Sequence, residues 1–360
     1  MRVVVTGATG NVGTSVLTAL AADPEVTSIL GLARRLPDRQ WPKTEWVRAD
    51  VRSSELEPHF RGADAVIHLA WLIQPMHGPM TTWEANVGGT TRVLRAVAAA
   101  KVPAFVYASS VGAYSPKHDD VPVPESWPTD GWPAAGYTRE KAYVERLLDA
   151  FELDNPECRT VRLRPGFIFQ RGAASAQRRL FLGPLLPNRL VRPGLIPILP
   201  MPTGLRFQAA HSDDVADAYR RAVLGDVRGA FNIAADPVID ARQLGELLGA
   251  RPVRVPSTAV RGALAAAWHL RLVPAEPTLF DALLRLPLMD TTRARAELGW
   301  TPRRTSLDAL AELLEGLRTG AGTQTPPLDP RAGGRLRVHE FASGVGGLDP
   351  VDQGRSARDG

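Results

Sequence analysis

The stretch that most constrains this chain is "RVVVTGATGNVG", residues 2–13. "RVVVT" is a short β-branched run, the composition of a strand. Glycines follow at 7, 10 and 13, and "NVGTSVLTALAAD" then has the apolar spacing of a helix. A strand feeding a helix through a glycine turn opens an α/β unit. Glycines let the backbone turn tightly and approach a diphosphate, while the helix N-terminus offers free N–H groups and a positive dipole end. Spaced glycines alone are a weak signal; a strand before and a helix after make the context specific. Gly7, Thr9, Gly10, Asn11, Val12 and Gly13 are therefore the expected phosphate cradle.

The alternation continues. "VTSILGLARR", "TEWVRAD", "ADAVIHLAW" and "PAFVYASS" read as strands, "WEANVGGTTRVLRAVAAA" and "GYTREKAYVERLLDAF" as helices, and "CRTVRLRPGFIF" as a sixth strand. Strands alternating with helices at this interval predict a parallel sheet covered on both faces. Beyond about residue 166, "LFLGPLLPNRLVRPGLIPILPMPTG" is too rich in proline for long helices and is expected to be a loop-rich cap over a site. Helices are expected around 241–249, 257–270 and 305–318. The Gly/Pro-rich stretch 321–360 is expected to be largely disordered, with "LRVHEF" able to dock as a strand.

Composition removes whole classes of function. A single cysteine, Cys158, excludes an internal disulfide and a cysteine-based metal cluster, and seven scattered histidines show no ligand spacing, so no metal is expected. No apolar run reaches the length of a membrane span, and the first strand begins at residue 2, so a cytoplasmic protein with no membrane partner is expected. The net charge is +5, and 39 of the 43 basic residues are arginines. They form no dense basic stripe with interleaved aromatics, so no nucleic-acid partner is expected.

An acid about 20 residues past the last glycine would bind the ribose hydroxyls of NAD. Here the second strand runs out at Ala33, followed by Arg34 and Arg35. Two guanidiniums suit a 2′-phosphate, so NADP is expected over NAD. At the end of the third strand, Asp50 is expected to accept from the adenine amino group, with Val51 beside the ring.

Tyr137 and Lys141 stand four apart on one helix, hence on one face. A free tyrosine has a pKa near 10, and a neighbouring ammonium lowers it. Such a pair suits proton transfer coupled to hydride transfer at a nicotinamide, and the lysine has further donors to share with the nicotinamide ribose hydroxyls, so Tyr137 and Lys141 are both expected at the cofactor as well. Ser109 and Ser110 close the fifth strand, where open α/β sheets bind ligands, and offer a hydroxyl for a substrate oxygen.

With "VRAD", "HLAW", "NVGGT", "SSVGAYS", "YTREK", "RPGF", "HSDDVA" and "DTTRARAELGW" following the glycine turn in order, the chain resembles the extended short-chain dehydrogenase/reductase family, of the NAD(P)-dependent epimerase/dehydratase type, over about residues 1–320. The resemblance implies a Rossmann-type doubly wound parallel sheet with a smaller, mostly C-terminal α/β substrate-binding lobe. The dinucleotide-binding domain would span 1–165 plus about 205–235, and the lobe 166–204 and 236–320. It implies that Ser110 contacts the substrate oxygen, that Tyr137 is the acid/base and Lys141 its partner, and that Leu69, Ala70, Pro165 and Phe167 lie along the cofactor. Asn86 and Asp214 would be structural, and His211 would lie near the lobe without a catalytic role. The family often dimerises through helices including the one that carries Tyr137, so a homodimer is allowed.

Departures from the family pattern narrow the reaction. Dehydratases of this type carry an Asp-Glu pair after the active-site hydroxyl; here Val111 and Gly112 follow Ser110. Many sugar-nucleotide enzymes carry an asparagine where this chain has Phe167. Trp71, Leu72, Ile73, Met76 and Met80 make a bulky apolar stretch, which suits an apolar or aromatic substrate touched by Trp71, Ser110 and Phe167. The leading expectation is an NADP-dependent oxidoreductase of secondary alcohols or ketones. A nucleotide-sugar epimerase using the same residues is the alternative, and a non-catalytic dinucleotide sensor the third reading.

Overall fold

The structure, a computed structural model, describes residues 1–73, 79–186, 188, 192, 194–195 and 197–342. Its frame is a seven-stranded sheet built from β1 (Arg2–Thr6), β2 (Ser28–Ala33), β3 (Thr44–Arg48), β4 (Ala65–His68), β5 (Ala104–Ala108) and β6 (Arg159–Pro165), closed by the later strand Gly229–Ile233. The spatial order is Gly229–Ile233, β6, β5, β4, β1, β2, β3, with every pairing parallel. Val3, Val4 and Val5 are all fully buried. Both faces of β1 are thus covered by helices, which is why it reads as an unbroken apolar run. The chain leaves β1 toward β2 on one side and returns as β4 on the other. The crevice at that switch point, outside the strands' C-terminal ends, is where such sheets bind ligands.

A second layer begins where one predicted strand becomes two. After β6 the chain continues as β7 (Phe167–Phe169), which belongs to a three-stranded sheet with Phe207–His211 and Ala235–Ile239. Gly166 makes the transfer possible, since a Cβ there would lie 2.5 Å from the Gln208 carbonyl oxygen. The helix Ser306–Thr319 closes this sheet through Ala309, Leu310, Leu313 and Leu317, and starts on a capping box of Thr305 and Asp308. The expected helices near 241–249 and 257–270 are Ala241–Leu248 and Ser257–His269. In the cap, Ile198–Pro202 pairs in parallel with Arg251–Val255. No helix among the described residues is long and apolar enough to cross a membrane.

The expectation of a disordered tail is corrected for residues 321–342. Ala321 accepts a backbone hydrogen bond from Ser175, and Thr325 and Leu328 are buried. Arg179 donates to the carbonyls of Pro327 and Asp329, and Arg337 donates to those of Pro184 and Leu186. Arg178 and Glu340 form a buried ion pair at 2.5 Å. The "LRVHEF" stretch forms a short helical turn, Arg335–Arg337, and the helix Val338–Ala342, not a strand. Gly/Pro-rich sequence hides this order because arginines from elsewhere in the chain capture the tail's carbonyls and carboxylate. Residues 343–360 and Met76 lie outside the described residues.

Candidate active site

The glycine turn sits at the switch point. Gly7 has φ of +71°, and a Cβ on it would stand 2.6 Å from the Ala70 backbone nitrogen at the end of β4. A Cβ on Gly13 would stand 2.4 Å from the Gly7 oxygen. Only glycine lets turn, helix and β4 approach so closely, and the result is a backbone cradle opening on the first turn of the helix Asn11–Ala22. These residues fit a dinucleotide diphosphate. Thr9 is buried in the turn. Asn11 uses its side chain structurally, donating to the Ile168 carbonyl and accepting from Gln170, and Val12 packs on the core. Leu69 is packed against the core, and the Ala70 N–H points to the Thr6 hydroxyl at 3.4 Å.

At the far end of the groove, Arg34 and Arg35 directly follow β2. Arg35 is largely buried. Both Asp50 oxygens accept from the Arg52 guanidinium, at 2.7 to 3.1 Å. Burial would raise the Asp50 carboxyl, but Arg52, with help from the Arg34 charge, holds it below the ordinary value. The expected adenine contact thus falls on a carboxylate already paired. Val51 packs against Gly89, where a Cβ would meet its methyl at 2.7 Å.

Ser110, Tyr137 and Lys141 converge beyond the end of β5. The two candidate serines separate here. Ser109 donates to the buried Glu145 carboxylate at 2.5 Å, so it is committed below the site. Ser110 accepts from the Gly112 N–H at 3.0 Å and faces the Tyr137 phenol. Gly112, for which the sequence suggested no role, leaves room for this meeting: a Cβ there would sit 2.9 Å from the Tyr137 ring.

One electrostatic expectation is corrected. The sequence placed Lys141 as the group that lowers the Tyr137 pKa. In the structure burial raises Tyr137 above its ordinary value, and the Ser110 hydrogen bond offsets only part of that rise. Lys141 is itself only 3 % exposed, and burial pushes it well below the usual lysine value against the opposing pull of Glu145 and Glu140. Its Nζ donates to the Ala108 carbonyl at 2.6 Å and lies 6.0 Å from the Tyr137 ring centre. Desolvation therefore outweighs the helical-turn pairing that the sequence shows.

Sequence reasoning missed the charged floor under this site. Glu145 is fully buried and receives Arg162 and Arg164, each at 2.9 Å. Burial alone would raise its carboxyl; the two guanidiniums and the Ser109 hydroxyl hold it at about 2. Arg164 also donates to the Tyr114 hydroxyl, which in turn donates to Asn232 in the last sheet strand. The signal available was Glu145 at i+4 from Lys141 on the same helix face. His68, equally unread, bridges the Thr6 and Thr90 hydroxyls at 2.6 and 3.0 Å and ties β4 to β1.

The remaining expected residues lie around the rim. Trp71 meets Tyr137 edge-on, with ring centres 6.2 Å apart. Pro165 is buried at the end of β6. Phe167 packs against Phe207, with ring centres 5.1 Å apart, and shares a small cavity with Val111, Leu286 and Met289. Asn86 holds the Leu72 backbone, Asp214 accepts from the Arg304 N–H, and His211 contacts Glu312 in the smaller layer. Among the described residues no group of three side chains is arranged to hold a metal ion.

The fold recurs in known proteins. The chain is 27% identical over 340 residues to an uncharacterized protein of Mycobacterium tuberculosis, covering 91% of this chain and 86% of the relative. It is 28% identical over 341 residues to UDP-glucose 4-epimerase of Mycolicibacterium smegmatis, covering 88% of this chain and 99% of that protein. Among solved structures, UDP-glucose 4-epimerase of Thermotoga maritima with UDP-glucose superposes with a TM-score of 0.67 at 19% identity, covering 89% of this chain and 99% of that one. The Thermus thermophilus UDP-glucose 4-epimerase complex with NAD gives 0.64 at 22% identity, covering 88% and 99%. The profile of the NAD dependent epimerase/dehydratase family matches residues 3–234, which contain the glycine cradle, Ser110, Tyr137 and Lys141, and the chain is an enzyme of that family.

Proposed function

We propose that this enzyme is an NADP-preferring oxidoreductase that interconverts a secondary alcohol and a ketone on an apolar substrate. The observation that carries the reading is the meeting of Ser110, Tyr137 and Lys141 beside the apolar ring of Trp71, which lies against both Tyr137 and Lys141. When bound, a nicotinamide supplies or accepts the hydride. Ser110 orients the substrate oxygen. Tyr137, whose raised pKa keeps it protonated at neutral pH, gives its proton to that oxygen during ketone reduction. The Ser110 hydrogen bond steadies the phenolate left behind, Lys141 offers its N–H donors to the nicotinamide ribose hydroxyls, and in the oxidative direction the proton returns to Tyr137. Arg34 and Arg35, with no carboxylate at the end of β2, support NADP over NAD. A kcat/KM with NAD equal to or above that with NADP overturns the preference.

A second reading, nucleotide-sugar epimerase, is favoured by the end-to-end match to the mycobacterial UDP-glucose 4-epimerase. It would use the same three residues for transient oxidation and re-reduction. Net NADPH consumption across a ketone panel supports the first reading. Interconversion of UDP-glucose and UDP-galactose without added cofactor supports the second. In either case Tyr137→Phe is expected to abolish turnover and to leave dinucleotide binding largely intact. Activity within tenfold of wild type refutes Tyr137 as acid/base.

A further inference from the structure

A lysine ammonium has three N–H donors. Around Lys141, the Ala108 carbonyl takes one at 2.6 Å, and the Tyr107 hydroxyl lies 3.4 Å away. The third side is covered by an indole: Nζ stands 3.4 Å from the centre of a Trp71 ring. A cation this close to the face of tryptophan, away from water, is held strongly. Every side of the ammonium that the family chemistry would offer to a ligand thus already has a partner from the chain itself.

The backbone that carries Trp71 is fixed. Asn86 clamps the next residue, Leu72, accepting from its N–H at 2.7 Å and donating to its carbonyl at 2.9 Å. Asn86 is in turn held by the buried Glu140, which also accepts from Thr82. The indole is not fixed in the same way. Its Nε1 is buried and has no hydrogen-bond partner among the described residues. Swinging the ring away would break contacts with Lys141 and Tyr137 but no hydrogen bond, and it would release a buried donor whose isolation is itself costly.

We propose that Trp71 is a positioning residue which occupies Lys141 in the free enzyme, and that a nicotinamide dinucleotide binds by exchanging the indole face for its own hydroxyls at that ammonium. The inference rests on the reading of Lys141 as a cofactor contact. It makes Trp71 a determinant of cofactor affinity: the apparent affinity is lowered by the fraction of molecules in which the indole covers the lysine.

The test is calorimetric titration of the full-length protein with NADPH, in wild type, Trp71→Leu, Trp71→Phe, Lys141→Met and the double variant Trp71→Leu/Lys141→Met. Trp71→Leu is expected to bind roughly tenfold more tightly than wild type, the scale of a desolvated cation–π contact, with Trp71→Phe between the two. In the Lys141→Met background the gain from Trp71→Leu is expected to vanish, because the two residues act through each other. Unchanged or weaker binding by Trp71→Leu overturns the proposal, and so does an equal gain without Lys141. Should Trp71→Leu not fold, Trp71→Phe is judged by the same criterion at about threefold. A wild-type protein that binds neither NADPH nor NADH overturns the cofactor reading as well, whereas binding that ignores Trp71 overturns this inference alone.

Discussion

His68 offers the sharpest numerical prediction. It is 1 % exposed, lies between two threonine hydroxyls, and burial, assisted by the Lys141 charge, brings its pKa from 6.5 to about 3. Above pH 6.5 the imidazole is neutral in both folded and unfolded chains and costs nothing. Below that value the unfolded chain takes up a proton that the folded one refuses, so stability falls as pH falls, down to the folded pKa. At pH 5 the loss is about 2 kcal/mol relative to pH 8, from 1.5 units at about 1.36 kcal/mol each. The carboxylates held low, such as Glu145 at about 2, lose their contribution only below their ordinary value of 4.5, and Glu140, which burial raises, is common to wild type and variant, so the difference between the two proteins reports on His68. Urea denaturation at pH 8, 6.5 and 5 would measure the effect in wild type and in His68→Gln. The variant is expected to be less stable at pH 8 and to lose about 2 kcal/mol less than wild type on going to pH 5. Parallel losses in the two proteins refute the assignment to His68.

Glu145→Gln should cost about 3–5 kcal/mol in urea denaturation, since it leaves Arg162 and Arg164 as buried charges without their shared carboxylate. A loss under about 1 kcal/mol would show that the remaining partners, Asp149 and Glu152 for Arg162 and Tyr114 for Arg164, suffice without Glu145. Gly112→Ala should push the Tyr137 ring out of place and lower kcat at least tenfold, with dinucleotide affinity, measured by calorimetry, changed little. Equal kcat would mean that the ring moves freely. Glu340→Ala should strip Arg178 of its buried partner and lower the thermal midpoint by several degrees, whereas a dispensable tail predicts no change.

What could be read ahead of the structure followed from local physics. The valine run of β1, the glycines at 7, 10 and 13 and the apolar stripe of the Tyr137 helix are each encoded within a dozen or so neighbouring residues, and each forms the element that its spacing dictates. The split at Gly166 was hidden because "RLRPGFIF" has one strand-like composition. What divides it is the Gln208 carbonyl, 42 residues further on, pressing against a position with no side chain.

The sequence by itself determined the doubly wound sheet and the glycine turn that opens it, and it marked Tyr137, Lys141 and the Ser109–Ser110 pair as candidate site residues. Tertiary structure alone showed why the two adjacent serines differ: Glu145, 36 residues away, claims Ser109, while Ser110 faces Tyr137. It also decided the direction of the Tyr137 pKa and the ordering of residues 321–342. The physical reason is common to all three. Periodicity and turn chemistry act between near neighbours, whereas desolvation and the pairing of buried charges depend on groups that only the folded chain brings together.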